Sequence, residues 1–300
     1  MTTTVALPST PPRGPVPADQ GCLVVQCPDT PGVVSAISTF LTAAGANILT
    51  LDQHATAETG GRFFQRTTFR LPGLVAARTE LEARFATEVA DRFGMQYRLT
   101  EVGKPKRVAI LVSKTDHCVL DLLWRNRRGD LAMDVAMVVS NHPDLADRAR
   151  PFGVPFFHVP ATRDNRAEAE QRILELLRGN VDLVVLARYM QIITSEFLAE
   201  VGVPLINIHH SFLPAFIGAG PYQKAKDRGV KLIGATAHYV TPDLDEGPII
   251  EQDVVRVDHR HATHDLVRLG ADVERAVLSR AVAAHLEDRV LLDGNSTIVF

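Results

Sequence analysis

Val181-Asp-Leu-Val-Val-Leu-Ala187 is apolar at every position but one. It is far shorter than the roughly 20 residues that cross a membrane. It also lacks the alternation of a strand with one wet face, so it reads as a strand buried on both sides. The same kind of run recurs at Arg107–Val112, Met133–Ser140, Phe156–Val159 and Val203–Ile208. Between these runs lie helical segments at Cys118–Arg125, Pro143–Arg150 and Arg166–Arg178, and a short one around Leu198. Buried strands alternating with helices predict a Rossmann-like, mostly parallel sheet covered on both faces. Leu232–Val240 and Pro248–Val257 add two strands, and a last helix carries Leu266, Leu269, Val273, Val277 and Ala281 as a packing stripe. In such sheets ligands bind beyond the carboxyl ends of the strands, so chemistry is sought there.

The chain before this series has another rhythm. Cys22–Cys27 is an apolar strand, Pro28-Asp-Thr-Pro-Gly32 breaks it, and a helix follows with Val33, Ile37, Phe40, Leu41 and Ala44 on one side. Asn47–Ala55 and Arg62–Leu71 form a hairpin around Thr59-Gly-Gly61. A helix from Leu74 to Asp91 and a strand at Met95–Leu99 complete strand–helix–strand–strand–helix–strand, the ferredoxin-like order. The polar stretch Glu101-Val-Gly-Lys-Pro-Lys106 is a linker. The expected division is a flexible tail over 1–20, a small α/β unit over 21–101, a linker over 102–106 and a larger α/β unit over 107–300.

Composition narrows the partners. Lys and Arg number 32 against 35 Asp and Glu, a net charge of -3, which argues against nucleic acid as the main partner. The three cysteines, Cys22, Cys27 and Cys118, make neither a disulfide framework nor a zinc site. The proline-rich first 20 residues have no basic start or apolar core, so a cytoplasmic protein without a membrane partner is expected.

Two strand endings concentrate reactive side chains. In Ile206-Asn-Ile-His209-His-Ser-Phe-Leu-Pro214, Asn207 and His209 are two apart and share a face of the strand. An amide donor beside an imidazole suits a carbonyl that must be polarised. In His238-Tyr-Val-Thr-Pro-Asp-Leu-Asp-Glu-Gly-Pro248, prolines bracket three carboxylates in a stiff loop. A His and an Asp converging on Asn207 form an acid–base site for acyl chemistry. Each motif alone also fits a loop cap or solvated surface. A metal site from His209, His210, His238 and Asp245 lacks ligand spacing, and His259, His261 and His264 read as mainly structural. Where a phosphate loop would follow the first strand of the larger unit, the chain reads Ser113-Lys-Thr-Asp-His-Cys118, without glycine.

Taken together, Asn207-Ile-His209-His-Ser211-Phe-Leu-Pro214, Gly218, His238 through Ile250 and Leu186-Ala-Arg-Tyr-Met190-Gln-Ile-Ile resemble the formyltransferases acting on 10-formyltetrahydrofolate. The resemblance runs from about Arg107 to Leu291. Cys27-Pro-Asp29-Thr-Pro-Gly32 and Gly60-Gly-Arg62-Phe-Phe-Gln-Arg66 resemble an ACT domain. With the missing phosphate loop and His117-Cys-Val-Leu-Asp121, they point to the formyltetrahydrofolate deformylase family.

That resemblance implies hydrolysis of 10-formyltetrahydrofolate to tetrahydrofolate and formate, in one-carbon and purine metabolism, without metal or other cofactor. It implies Asn207, His209 and Asp245 as catalytic, with His238 and Ser211 supporting. Met190, Gln191, Ile193, Gly218, Val240, Pro242, Asp243 and Leu244 would line the folate site. Asp29, Gly32, Asn47 and Ile48 would form a regulatory site for an amino acid such as glycine or methionine, in a dimer or tetramer. The alternatives are formyl transfer to a small amine and a non-catalytic folate- or amino-acid-sensing protein.

Overall fold

The computed structural model describes residues 19–162, 164–214 and 220–300. They form two compact units. One comprises the described residues up to Pro105 together with Ala284–Phe300, and the other Lys106–Ala283.

The first unit contains β1 (Gln20–Pro28), α1 (Val33–Ala43), β2 (Asn47–Ala55), β3 (Arg62–Arg70), α2 (Leu74–Phe85), α3 (Asp91–Phe93) and β4 (Gln96–Glu101). The sheet order is β2-β3-β1-β4, antiparallel throughout, as the ferredoxin-like expectation requires. α1 buries Val33, Ile37, Phe40 and Leu41, the stripe read from the sequence. The expected helix Leu74–Asp91 is interrupted: a π turn at Ala86–Ala90 separates α2 from α3 and lets both Val89 and Ala90 face inward.

The second unit holds β5 (Lys106–Val112), α4 (His117–Arg128), β6 (Met133–Ser140), α5 (Ala146–Ala149), β7 (Phe156–His158), α6 (Arg166–Leu177), β8 (Leu183–Leu186), α7 (Ser195–Val201), β9 (Leu205–His209), α8 (Pro221–Asp227), β10 (Leu232–Tyr239), β11 (Ile249–Arg256) and most of α9 (Thr263–Leu286). Its described residues form a seven-stranded sheet, β11-β10-β9-β8-β5-β6-β7. The run from β9 to β7 is parallel, and β10 and β11 extend it antiparallel. β8 is the central strand and β5 lies beside it, with Val108 to Val112 fully buried. Because β6 and β8 flank β5 on opposite sides, the strand order reverses there and opens a crevice beyond the carboxyl ends of β5 and β8. The expected helix Pro143–Arg150 shrinks to α5 and a 3₁₀ turn at Arg150–Phe152, with Pro151 in its first turn.

The chain's end corrects the expected unit over 107–300. Residues 284–300 belong with the first unit, as β12 (Val290–Asp293) and β13 (Ser296–Val299), a hairpin the sequence reading did not identify. Leu291 packs with Cys22, Val24 and Phe64, burying the second face of β1. Polar contacts add to this: Arg62 pairs with Asp293, and Arg98 and Thr100 donate to Asp288 at 2.9 and 2.7 Å.

Candidate active site

Strand pairing brings the two predicted endings together. β9 and β10 run antiparallel with Asn207 opposite His238, so both side chains stand on one face. The register of β10 against β11 shifts at Ala237/His238, a bulge that re-aims a side chain. Ile206 and Ile208 point into the core, as the two-residue period demands.

The loop after β10 returns to the same place. Its Asp245 adopts φ 59°, a left-handed conformation unfavourable for a side chain and held by its surroundings. Gly247 closes the loop against Tyr239: a Cβ there would lie 1.8 Å from the Tyr239 carbonyl oxygen. Only glycine permits that approach.

Asp245 Oδ2 lies 3.2 Å from His209 Nδ1, and Asp245 Oδ1 lies 3.7 Å from His238 Nε2. The first is a hydrogen bond and the second is too long to be one. His238 Nδ1 donates to the Tyr239 carbonyl at 2.9 Å. Its Nε2 then accepts from Asn207 Nδ2 at 3.2 Å, which fixes the amide's orientation. Hydrogen bonding to His209, and secondarily the nearby His238, holds the Asp245 carboxyl well below the usual carboxylate range, against the opposing effect of burial. Asp245 is therefore ionised at neutral pH. His209 Nε2 is buried and has no hydrogen-bond partner among the described residues, so the imidazole keeps one polar atom unused by them.

Asn207, His209, His238 and Asp245 open on a pocket of about 420 Å³. Met190, Gln191, Ile193, Val240, Pro242, Asp243 and Leu244 line it. Met190 and Leu244 are each 59% exposed, which excludes ordinary core packing for Met190. Ile192 joins them as an exposed apolar side chain, and such a rim suits a flat, partly apolar ligand. Gly218 lies outside the described residues. Ser211 is absent from the described lining; it is buried, and its carbonyl accepts from Thr236.

The sequence reading missed a second polar cluster beside this pocket. Glu274 of α9, 2% exposed, accepts from Tyr222 at 2.6 Å, bonds His117 Nε2 at 2.8 Å and lies 3.5 Å from Arg188 Nε. Burial pushes its carboxyl upward, but the His117 hydrogen bond and the Arg188 charge outweigh this and set it below its ordinary value. His210 stands edge-on to both His209 and Tyr222, with ring centroids 5.2 and 6.1 Å apart. Burial, reinforced by the Arg188 charge, pushes the His210 imidazole down to about 4, so it is neutral at pH 7. The only trace of Glu274 in the sequence is a carboxylate next to the apolar stripe of α9.

In the first unit, Asp29 and Gly32 line a cavity of about 760 Å³ with Gln53, Glu58 and Phe63. Asn47 and Ile48, expected beside them, are not among its described lining. They sit at the start of β2, whereas the cavity meets that strand at Gln53 and Ala55.

The formyl transferase family model matches residues 106–282 and the ACT domain model residues 23–86. A formyltetrahydrofolate deformylase of Mycobacterium bovis is 69% identical over 283 residues, covering 94% of this chain and 91% of the relative. One from Bacillus subtilis is 52% identical, with 94% of each covered. The crystal structure of a formyltetrahydrofolate deformylase from Pseudomonas syringae superposes with a TM-score of 0.88 at 44% identity, covering 94% of each chain. A glycinamide ribonucleotide transformylase from Symbiobacterium toebii matches 65% of this chain and 94% of its own, with a TM-score of 0.62 at 32% identity.

Proposed function

The chain belongs to the formyltetrahydrofolate deformylase family and hydrolyses 10-formyltetrahydrofolate to tetrahydrofolate and formate; we propose that Asn207, His209 and Asp245 carry out this chemistry in the pocket they line. The observation that carries the proposal is the pairing of an ionised Asp245 with a His209 whose Nε2 has no partner among the described residues.

In this scheme His209 acts in its doubly protonated form: Nδ1–H donates to Asp245 and Nε2–H donates to the formyl oxygen. Asn207 gives one amide hydrogen to His238 and offers the other to the same oxygen. Water attacks the formyl carbon: a C–O bond forms and the carbonyl electron pair moves onto oxygen. Collapse breaks the bond to N10, which takes one proton, and formate leaves as its acid loses another. Asp245 orients the water; a carboxylate held this far down is a weak base, so orientation is its larger contribution. Water is the only co-substrate this scheme requires.

The Asp29–Gly32 cavity supports the reading that the ACT domain binds an amino acid such as glycine or methionine; we propose in addition that the chain works as a cytoplasmic homo-oligomer. No helix among the described residues is long and apolar enough to cross a membrane.

The test is to incubate the pure protein with 10-formyltetrahydrofolate and no added amine, and to measure formate and tetrahydrofolate. Stoichiometric release of both is expected, and no release without an amine acceptor refutes the scheme. Calorimetry with amino acids tests the regulatory cavity, where absence of heat removes that part.

A further inference from the structure

The segment following β5, Ser113 to Cys118, contains no phosphate loop, and its contacts show another use. The Ser113 backbone N–H donates to the Arg188 carbonyl at 3.2 Å. The Ser113 hydroxyl accepts from the Met190 N–H at 2.9 Å and donates to Asn141 Oδ1 at 2.7 Å. Both Ser113 and Asn141 are buried. The backbone is thus pinned at the Arg188 carbonyl and again at Met190, and Arg188 itself adopts φ 65°, an uncommon conformation for a long side chain. The segment's other contribution is His117, bonded to Glu274.

Glu274 in turn holds the Arg188 side chain. Space for its Tyr222 partner comes from Gly270, one turn earlier on α9: a Cβ there would lie 2.0 Å from the Tyr222 hydroxyl. Backbone strain, a close-approach glycine and a buried carboxylate thus combine to fix one guanidinium. Arg188 lines the same pocket as Asn207, His209 and Asp245, and it is the one permanently cationic side chain in the described lining. Its Nε is buried and makes no hydrogen bond among the described residues. His117, Cys118 and Glu274 together offer three metal-ligand atoms within 4.8 Å, but a cation there would have to displace the guanidinium from Glu274.

We infer that Arg188 is the anion-binding residue of the site: it receives the carboxylate of the departing formate, with Ser113 and Glu274 as its positioning residues. This rests on the hydrolytic reading above. Hydrolysis turns a neutral formyl group into an anion beside the fixed negative charge of Asp245, and a cation offsets the repulsion that would otherwise oppose product formation. A planar guanidinium matches a carboxylate in shape.

The test is product inhibition by sodium formate in steady-state hydrolysis, using the full chain and Arg188→Gly. Glycine accepts the left-handed backbone without strain, so this variant retains the turn. The formate inhibition constant is expected to rise at least about ten-fold, the loss of one charge-assisted contact. kcat should fall while KM for 10-formyltetrahydrofolate changes by less than about three-fold, and millimolar guanidinium should restore part of the formate sensitivity. Glu274→Gln should shift the formate constant the same way but less. A formate constant equal to the parent's in Arg188→Gly overturns the inference. If that variant does not fold, Arg188→Lys and Glu274→Gln decide, and unchanged constants in both overturn it. If the parent chain releases no formate, the hydrolytic reading fails separately. Titration of labelled formate into parent and variant by carbon NMR then still tests the anion site, and equal affinities refute it.

Discussion

Asp245 and Glu274 are both carboxylates of the larger unit, each bonded to a histidine ring nitrogen, yet their settings differ. Asp245 sits on a strained loop at a pocket wall, its side chain 13% exposed, with His209 as its one hydrogen-bonded histidine. Glu274 sits inside a 24-residue helix, its side chain 2% exposed, with His117, Tyr222 and Arg188 sharing its two oxygens. The first pair leaves His209 Nε2 without a partner among the described residues, whereas the second spends both carboxylate oxygens on fixed neighbours. A charge meant for chemistry keeps one partner atom free. A charge meant for positioning is saturated, because an unsatisfied buried ion is costly.

This contrast predicts opposite consequences of removing each group. Asp245→Asn, His209→Ala and Asn207→Ala should each lower turnover by about 100- to 1000-fold while the chain remains folded. Formate release and circular dichroism check this, and near-normal deformylation by His209→Ala would sink the assignment. Glu274→Ala should act mainly on stability, costing on the order of 3–5 kcal/mol in urea unfolding because Arg188 loses its buried counter-charge and His117 and Tyr222 lose their hydrogen-bond partner. A normal unfolding midpoint in that variant would erase the distinction between the two carboxylates.

His210, between the two clusters, gives a test by pH. Its folded value near 4 lies below the unfolded value, so both states are neutral above about pH 6.5 and it contributes nothing there. As pH falls from 6.5 toward 4, the unfolded state takes up the proton first, and stability drops by about 3 kcal/mol. His210→Asn should remove that part of the acid destabilisation, seen as a flatter dependence of the unfolding midpoint on pH. Asp245 behaves differently under the same titration. Its depressed value stabilises the fold above the ordinary carboxylate range, and that contribution is lost only as pH falls toward the folded value. The smallest expected effect is that of Gly270→Ala. It should push Tyr222 off Glu274 and cost about 1–3 kcal/mol through overpacking, with turnover reduced less than by any change at Asp245.

Much of this molecule was legible in its residues. Helix stripes such as Val33, Ile37, Phe40 and Leu41, the unalternating strands and the Asn207/His209 spacing follow from local periods of 3.6 and 2, which a sequence states directly. The C-terminal hairpin was missed because its strands, Val290–Asp293 and Ser296–Val299, are too short to show a period. It covers β1, hundreds of positions earlier, through Leu291 against Cys22 and Val24. The π turn in the second helix was hidden for a related reason: one inserted residue shifts the stripe without changing its composition.

The sequence by itself therefore settled the order of the elements up to the last helix, the two architectures and the pairing of an amide with an imidazole on one strand face. Tertiary structure alone decided that His238 would buttress Asn207, that Asp245 would meet His209 rather than solvent, and that Glu274 would leave an apolar stripe to hold Arg188. The physical reason is one of range. Backbone sterics and hydrophobic periodicity act over a few residues and are written in the local pattern. Hydrogen bonds and ion pairs act over about 3 Å between groups far apart in the chain, so only the folded sheet and helices choose their partners.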